Sequence, residues 1–158
     1  MRQNFTHFMV GAFILRGWAR SASGNAAEGI PWIEHGIEEL RATGATLTLP
    51  YFLGLKAEAL HLGGRASEAL EAIREAEVLA EKSEERWWCA ELHRLRGVFL
   101  ATSGADEAQI EASFCEATRI ARKQKSVSLE KRAEGTYGEY RRQKARASGG
   151  RGFRLPIS

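Results

Sequence analysis

The sequence predicts an all-α, right-handed helical-hairpin solenoid with 40-residue repeats, closed by a C-terminal capping helix. Three observations predict it. Turn glycines recur every 40 residues, at Gly24, Gly64 and Gly104. The same offset pairs Leu15 with Leu55 and Leu95, Gly17 with Ala57 and Gly97, and Arg16 with Lys56 and Arg96. Apolar residues on either side of each glycine recur at helical spacing. A fixed period of this size marks a repeat array. A helical hairpin cannot bury its apolar face alone, so such units stack on one another. The repeats cover residues 4–44, 45–85 and 86–125, and the capping helix covers 127–145. The helical domain ends at residue 146 and a basic, flexible tail follows at 147–158.

The first helix is expected over residues 4–21. Phe8, Ala12, Leu15 and Ala19 fall on one face, and Phe5, Met9, Val10, Phe13 and Ile14 make other faces apolar too. That is more apolar surface than one partner helix covers. It predicts either further repeats or self-association through Phe5, Phe8, Met9 and Phe13. The second helix starts near Asn25, with Glu28 in its first turn and a buried stripe of Ile30, Ile33, Ile37 and Leu40. Pro31 lies inside it and predicts a kink or a late start. Gly29 and Gly36 lower its helix propensity. Thr48 is placed to cap the third helix, with Pro50 in the first turn. Phe52, Leu55, Ala59 and Leu62 should face its core. The fourth helix spans 66–82 with Leu70, Ile73, Ala76 and Ala80 inward, and Ala69 and Ala76 at close helix approaches. The fifth starts near Glu85 with Trp87 and Trp88, followed by Leu92, Leu95 and Phe99. The sixth spans 106–123 with Ile110, Phe114, Ala117 and Ala121 inward. The seventh carries Leu129, Ala133, Tyr137 and Tyr140 on one face and polar residues elsewhere, as a terminal cap requires. Residues 148–158 are expected to be loose.

The 158 residues fit one domain. Mean hydropathy is −0.34, and no apolar run reaches the ~20 residues of a membrane span. Two cysteines, Cys89 and Cys115, make no disulfide framework; free thiols fit a cytoplasmic protein. The net charge of +3 conceals an asymmetry. Arg141, Arg142, Lys144, Arg146, Arg151 and Arg154 lie in the last 18 residues with no acid among them, so the preceding body is mildly acidic. A basic tail of this kind can contact nucleic acid. It lacks the interleaved aromatics of a recognition stripe, so nucleic acid is the lesser reading.

The stretches GWARSASGNAAEGI, RATGATLTLPYFLGLKAEAL, ERWWCAELHRLRG and KSVSLEKRAEGTYGEY resemble the tetratricopeptide-like (TPR-like) array in the C-terminal region of bacterial multidomain signalling proteins. Those proteins carry a regulatory ATPase module and often a class III adenylate cyclase domain. The resemblance covers about Leu15 to Tyr140 and implies a partner-sensing module. No GxxxxGK[ST] loop or cyclase residue occurs here, so neither activity is carried over.

No residue set points to catalysis, a cofactor or a metal. Cys89 and His93 are four apart on one helix, but a structural zinc site needs four ligands and no second pair exists. His93 and Glu91 are two apart and point to different sides of a helix. The stronger candidate is the ladder Arg16, Lys56 and Arg96. One basic residue per first helix could clamp an extended acidic segment; the same side chains could instead form salt bridges between repeats, for instance to Glu58. Phe13, Leu53 and His93 share a second register: Phe13 and Leu53 could line the same groove or simply be core, and His93, which breaks the apolar pattern, suits its rim. The sequence therefore predicts a non-catalytic protein–protein interaction module with a protein or peptide partner, regulatory in bacterial signalling. A self-associating homodimer is the alternative.

Overall fold

The computed structural model describes residues 2–84, 86–147 and 152–157, with side chains from residue 8 onward. Among the described residues there is no strand; the fold is an all-helical, TPR-like repeat. No helix is long and apolar enough to cross a membrane. The chain forms two compact units, Met1–Arg86 and Trp87–Ser158. The first holds α1 (Arg2–Ala22), α2 (Ala26–Ala42), α3 (Leu49–Leu62) and α4 (Ala66–Ser83). There α1 packs on α2, α3 on α4, and α3 also meets α1 and α2. The second unit holds α5 (Cys89–Thr102), α6 (Glu107–Lys123) and α7 (Val127–Arg146), each packed on the other two.

The hairpin turns are copies of one another. Asn25 N–H donates to Arg20 C=O at 3.0 Å, Arg65 to Leu60 at 2.8 Å and Ala105 to Leu100 at 3.0 Å. Each bond spans the same six residues, as in a Schellman motif. The residue before each donor is Gly24, Gly64 or Gly104, at φ 96°, 76° and 72°. That left-handed backbone is strained for any residue with a Cβ, so the 40-residue period of glycines is the period of the helix stops.

Most of the expected stripes are the core. Ile30, Ile33, Ile37 and Leu40 of α2 are buried, as are Ile73, Ala76 and Ala80 of α4, Leu92, Leu95 and Phe99 of α5, and Ile110, Phe114, Ala117 and Ala121 of α6. The first helix is different. Its buried face is Val10, Ile14, Gly17 and Ser21, while Phe8, Ala12, Leu15 and Ala19 face outward. Both stripes have helical spacing; the true one is disguised by its glycine and serine. Contact between backbones decides the matter. A Cβ on Gly17 would lie 2.7 Å from Gly29 O, and one on Gly29 would collide with Gly17 O and the Ser21 hydroxyl. Ser21 donates to Gly17 O at 3.0 Å and so removes its own polar group from the seam. A Cβ on Gly36 would strike Ile14. Gly29 and Gly36 are therefore the contact surface of α2 rather than weak points in it.

Other local expectations also change. α2 begins at Ala26 and continues through Pro31, whose ring is exposed, without a late start. Asn25 and Thr48 precede α2 and α3 but make no side-chain cap, and the Thr48 hydroxyl is buried without a hydrogen-bond partner. Trp87 and Trp88 lie before α5 rather than in it, their rings 5.3 Å apart. Leu62 is exposed, and Leu70 and Leu129 are half-buried. Residues 152–157 have no regular secondary structure, yet they pack on the second unit, so the expectation of a loose end does not describe them. Residues 148–151 and 158, also expected to be loose, lie outside the described residues.

Candidate protein-interaction surfaces

In the first unit the outward face of α1 carries Phe8, Met9, Phe13 and Leu15, all exposed. Leu15 is 45% exposed, while Leu55 at the same repeat position on α3 is 6% exposed. The register that α3 covers with protein is therefore open on α1. Beside this face, Phe13 lies 5.7 Å from Trp32 and 6.5 Å from His35, measured between ring centroids. The Arg16 guanidinium sits 5.0 Å from the centre of the Trp32 ring and that of Arg20 5.7 Å. Arg20 is also paired with Glu28. Met9, Val10, Phe13, His35, Gly36 and Glu39 line a surface pocket of about 180 Å³ between α1 and α2.

The structure sorts the expected ladder and its second register. Arg16 is exposed and stacked on Trp32. Lys56 lies 3.3 Å from Glu34, so one rung is an ion pair within the unit. Glu58, the partner suggested for the ladder, accepts a 2.8 Å hydrogen bond from Trp18 Nε1, linking α1 to α3 one repeat apart. Arg96 and His93 are half-buried on α5 in the second unit. Leu53 is 1% exposed and belongs to the core, so it offers no groove surface. Of the self-association set, Phe8, Met9 and Phe13 are exposed; the Phe5 side chain lies outside the described residues. Trp32 was not singled out from the sequence. Its signal was its place three residues from His35 and one from Pro31, on the side of α2 away from the isoleucine stripe.

The second unit is organised around a buried ion pair that sequence reasoning missed. Arg94 is 1% exposed and Glu91 2%. Arg94 Nε donates to Glu91 Oε2 at 2.9 Å and Nη2 to Oε1 at 2.7 Å, a bidentate pair. Arg132 Nη1 lies 3.4 Å from the same carboxylate. Arg94 Nη1 donates to Thr136 Oγ1 of α7 at 3.2 Å and to Pro156 O at 2.9 Å, and Nη2 donates to Ile157 O. Glu91, read from the sequence only as an unsuitable partner for His93, therefore anchors a charged core. Burial and the nearby Glu111 carboxylate raise the pKa of both Tyr137, whose ring stacks on Phe114, and Tyr140, whose ring is tilted against it. Cys89 and His93 share no third ligand: among the described residues no cluster of three His, Cys, Asp or Glu could hold a metal ion. The basic end of the chain is partly neutralised, with Arg142 paired to Glu139, Lys144 to Glu107, and Arg141 over Tyr137.

No protein-family model matches the chain. The uncharacterized protein R02095 of Rhizobium meliloti (strain 1021) is 31% identical over 128 residues, which are 81% of this chain and 12% of that protein. The chain thus spans about an eighth of the relative it matches. Among solved structures, Bacillus thuringiensis PlcR in complex with the peptide PapR7 and DNA is similar with a TM-score of 0.69 and 19% identity. That match covers 74% of this chain and 42% of PlcR, and it shows the fold.

Proposed function

We propose that the chain is a non-catalytic protein-interaction module with a regulatory role in a larger signalling assembly. The observation that carries this reading is the outward face of α1. Phe8, Met9, Phe13 and Leu15 stand exposed beside a tryptophan stacked with two arginines. Contiguous exposed apolar surface marks interaction sites, and aromatic residues, methionine and arginine are enriched in them. The TPR-like fold and a relative that carries the similar stretch within a much longer protein support the same reading. The expected partner is a polypeptide that offers apolar side chains to α1 and carboxylates to Arg16. Lys56 would extend such an acidic contact by leaving Glu34.

The test is a photo-crosslinking residue placed at Leu15, with one at the equally exposed Val78 on α4 as control. Crosslinks to a discrete polypeptide in source-cell extract at position 15, absent at 78, are the expected result. Equal labelling at both positions, or none at 15, would end the reading. A homodimer through Phe8, Met9 and Phe13 is the second reading, favoured by the open register at Leu15. It requires a mass that doubles with concentration in light scattering and returns to that of the monomer in Phe13→Glu. The basic-tailed nucleic-acid adaptor is not favoured, because several of its basic side chains already have carboxylate or ring partners.

A further inference from the structure

We infer that the face of α5 and α7 carrying Gln143, Arg94 and Tyr140 is a binding site for an extended segment of another polypeptide, and that residues 153–157 of this chain occupy it in cis. The segment is held as an extended ligand would be. Gln143 Nε2 donates to Arg154 O at 2.7 Å while Arg154 N–H donates to Gln143 Oε1 at 2.8 Å, so one side-chain amide pairs with one backbone residue as a strand would. Glu139 Oε1 accepts from the same Nε2 at 2.8 Å and fixes the orientation of the amide. Two residues on, Arg94 takes the carbonyls of Pro156 and Ile157. Pro156 has no N–H to satisfy. Side chains alternate as in a strand: Phe153 and Leu155 point inward, Arg154 and Pro156 outward. The Phe153 ring lies 4.9 Å from that of Tyr140, and Leu155 is buried.

These contacts define the occupant. Four of the hydrogen bonds go to backbone groups that any extended chain offers. Side-chain selection is confined to an aromatic residue and, two positions later, a leucine. The partner is therefore an extended segment with that pattern, followed by a residue that needs no N–H partner. The site shares nothing with the outward face of α1, so either proposal can fail alone. Tethering gives the tail an effective concentration of the order of millimolar. A micromolar partner competes only once the tail is loosened.

The test uses the full chain and a fluorescent, end-blocked peptide GFRLPI read by anisotropy. The double variant Phe153→Ala, Leu155→Ala should bind it at least about tenfold more tightly than the natural chain, because the tethered competitor is weakened. Adding Gln143→Ala should weaken binding by about tenfold through loss of the paired backbone bonds. Should the double variant lose helicity, Arg154→Pro takes its place, since it removes the N–H given to Gln143 and leaves α5 and α7 untouched. No gain on loosening the tail, or no loss with Gln143→Ala, overturns the proposal. So does a loosened chain that doubles in mass and stops binding the peptide, which would assign the groove to the tail of a second copy.

Discussion

Ile14 on α1 and Arg94 on α5 occupy the same register, two repeats apart, and both are fully buried. The two units build around them differently. In the first, Ile14 sits under Gly36, and the helices close on glycine contacts between Gly17 and Gly29. In the second, Gly97 faces the ring of Phe114, 2.8 Å from where a Cβ would be, and Arg94 takes the apolar position. An isoleucine asks only for surface. A guanidinium carries five N–H donors that must all be met. Glu91 meets two of them, Thr136 brings in α7, and residues 156 and 157 bring in the end of the chain. Replacing one apolar residue by one charge thus makes the second unit depend on segments that the first does without.

The largest expected effect breaks that dependence. Arg94→Ala leaves Glu91 buried with only the 3.4 Å contact to Arg132. Removing one partner of a buried ion pair costs about 3–5 kcal/mol. Hydrogen exchange should show α5, α6 and α7 losing protection while α1 to α4 keep theirs. Replacing both partners, Glu91→Leu with Arg94→Met, should restore most of the stability and still release residues 153–157. If the double replacement leaves those residues protected, the tail is held by Gln143, Phe153 and Leu155 without Arg94.

The next effect is on the first unit. Gly29→Ala sets a methyl group against the Gly17 carbonyl and the Ser21 hydroxyl. Neither α1 nor α2 can give way without repacking, so a loss of about 1–3 kcal/mol is expected, read as a lower urea midpoint. On helix propensity alone the same change would stabilise by roughly 1 kcal/mol. The sign of the result therefore separates the two accounts of this glycine.

That ambiguity is why the sequence was legible in some places and not in others. The period, the helix stops and most of the stripes of α2, α4 and α6 follow from residue type, because turn glycines stop the helices and the aliphatic residues at helical spacing there are core. A glycine inside a helix admits two, a cost in propensity or a close approach, and only the partner helix decides. The outward face of α1 looked like core because its residues are larger than Gly17 and Ser21, which are the core. A charge usually lies at the surface, so residue type alone does not mark Arg94 as core. The offset that aligns it with Ile14 and Gly54, both buried, was the available sign of an unusual site. Phe153 and Leu155 were likewise visible as apolar residues at alternate positions in a basic tail. The ladder residues and their second register meet different surroundings: Lys56 has a carboxylate partner, Leu53 is core, and the aromatic ring that gathers Arg16 lies on another helix.

A smaller effect tests whether the Lys56 rung is structural. It is half-exposed and 3.3 Å from Glu34. Partly exposed pairs of this kind contribute about 0.2–1 kcal/mol. Lys56→Gln should lower the urea midpoint by no more than that, and by less at high salt. A larger loss, insensitive to salt, would show that the aliphatic stem of Lys56 packs in the core.

The smallest effect is confined to one pH window. His61, near the end of α3, is half-buried, and its burial lowers the imidazole pKa below the ordinary 6.5. The unfolded chain then takes up the proton before the folded one does. Stability is complete above the unfolded pKa, is lost as pH falls through the window between the two values, and loses no more below the folded one. The slope should appear in the protection of α3 and α4 as pH falls below about 6.5, and His61→Gln should flatten it. An unchanged slope in that variant would move its origin to carboxylates, whose protonation acts over the lower part of the same range.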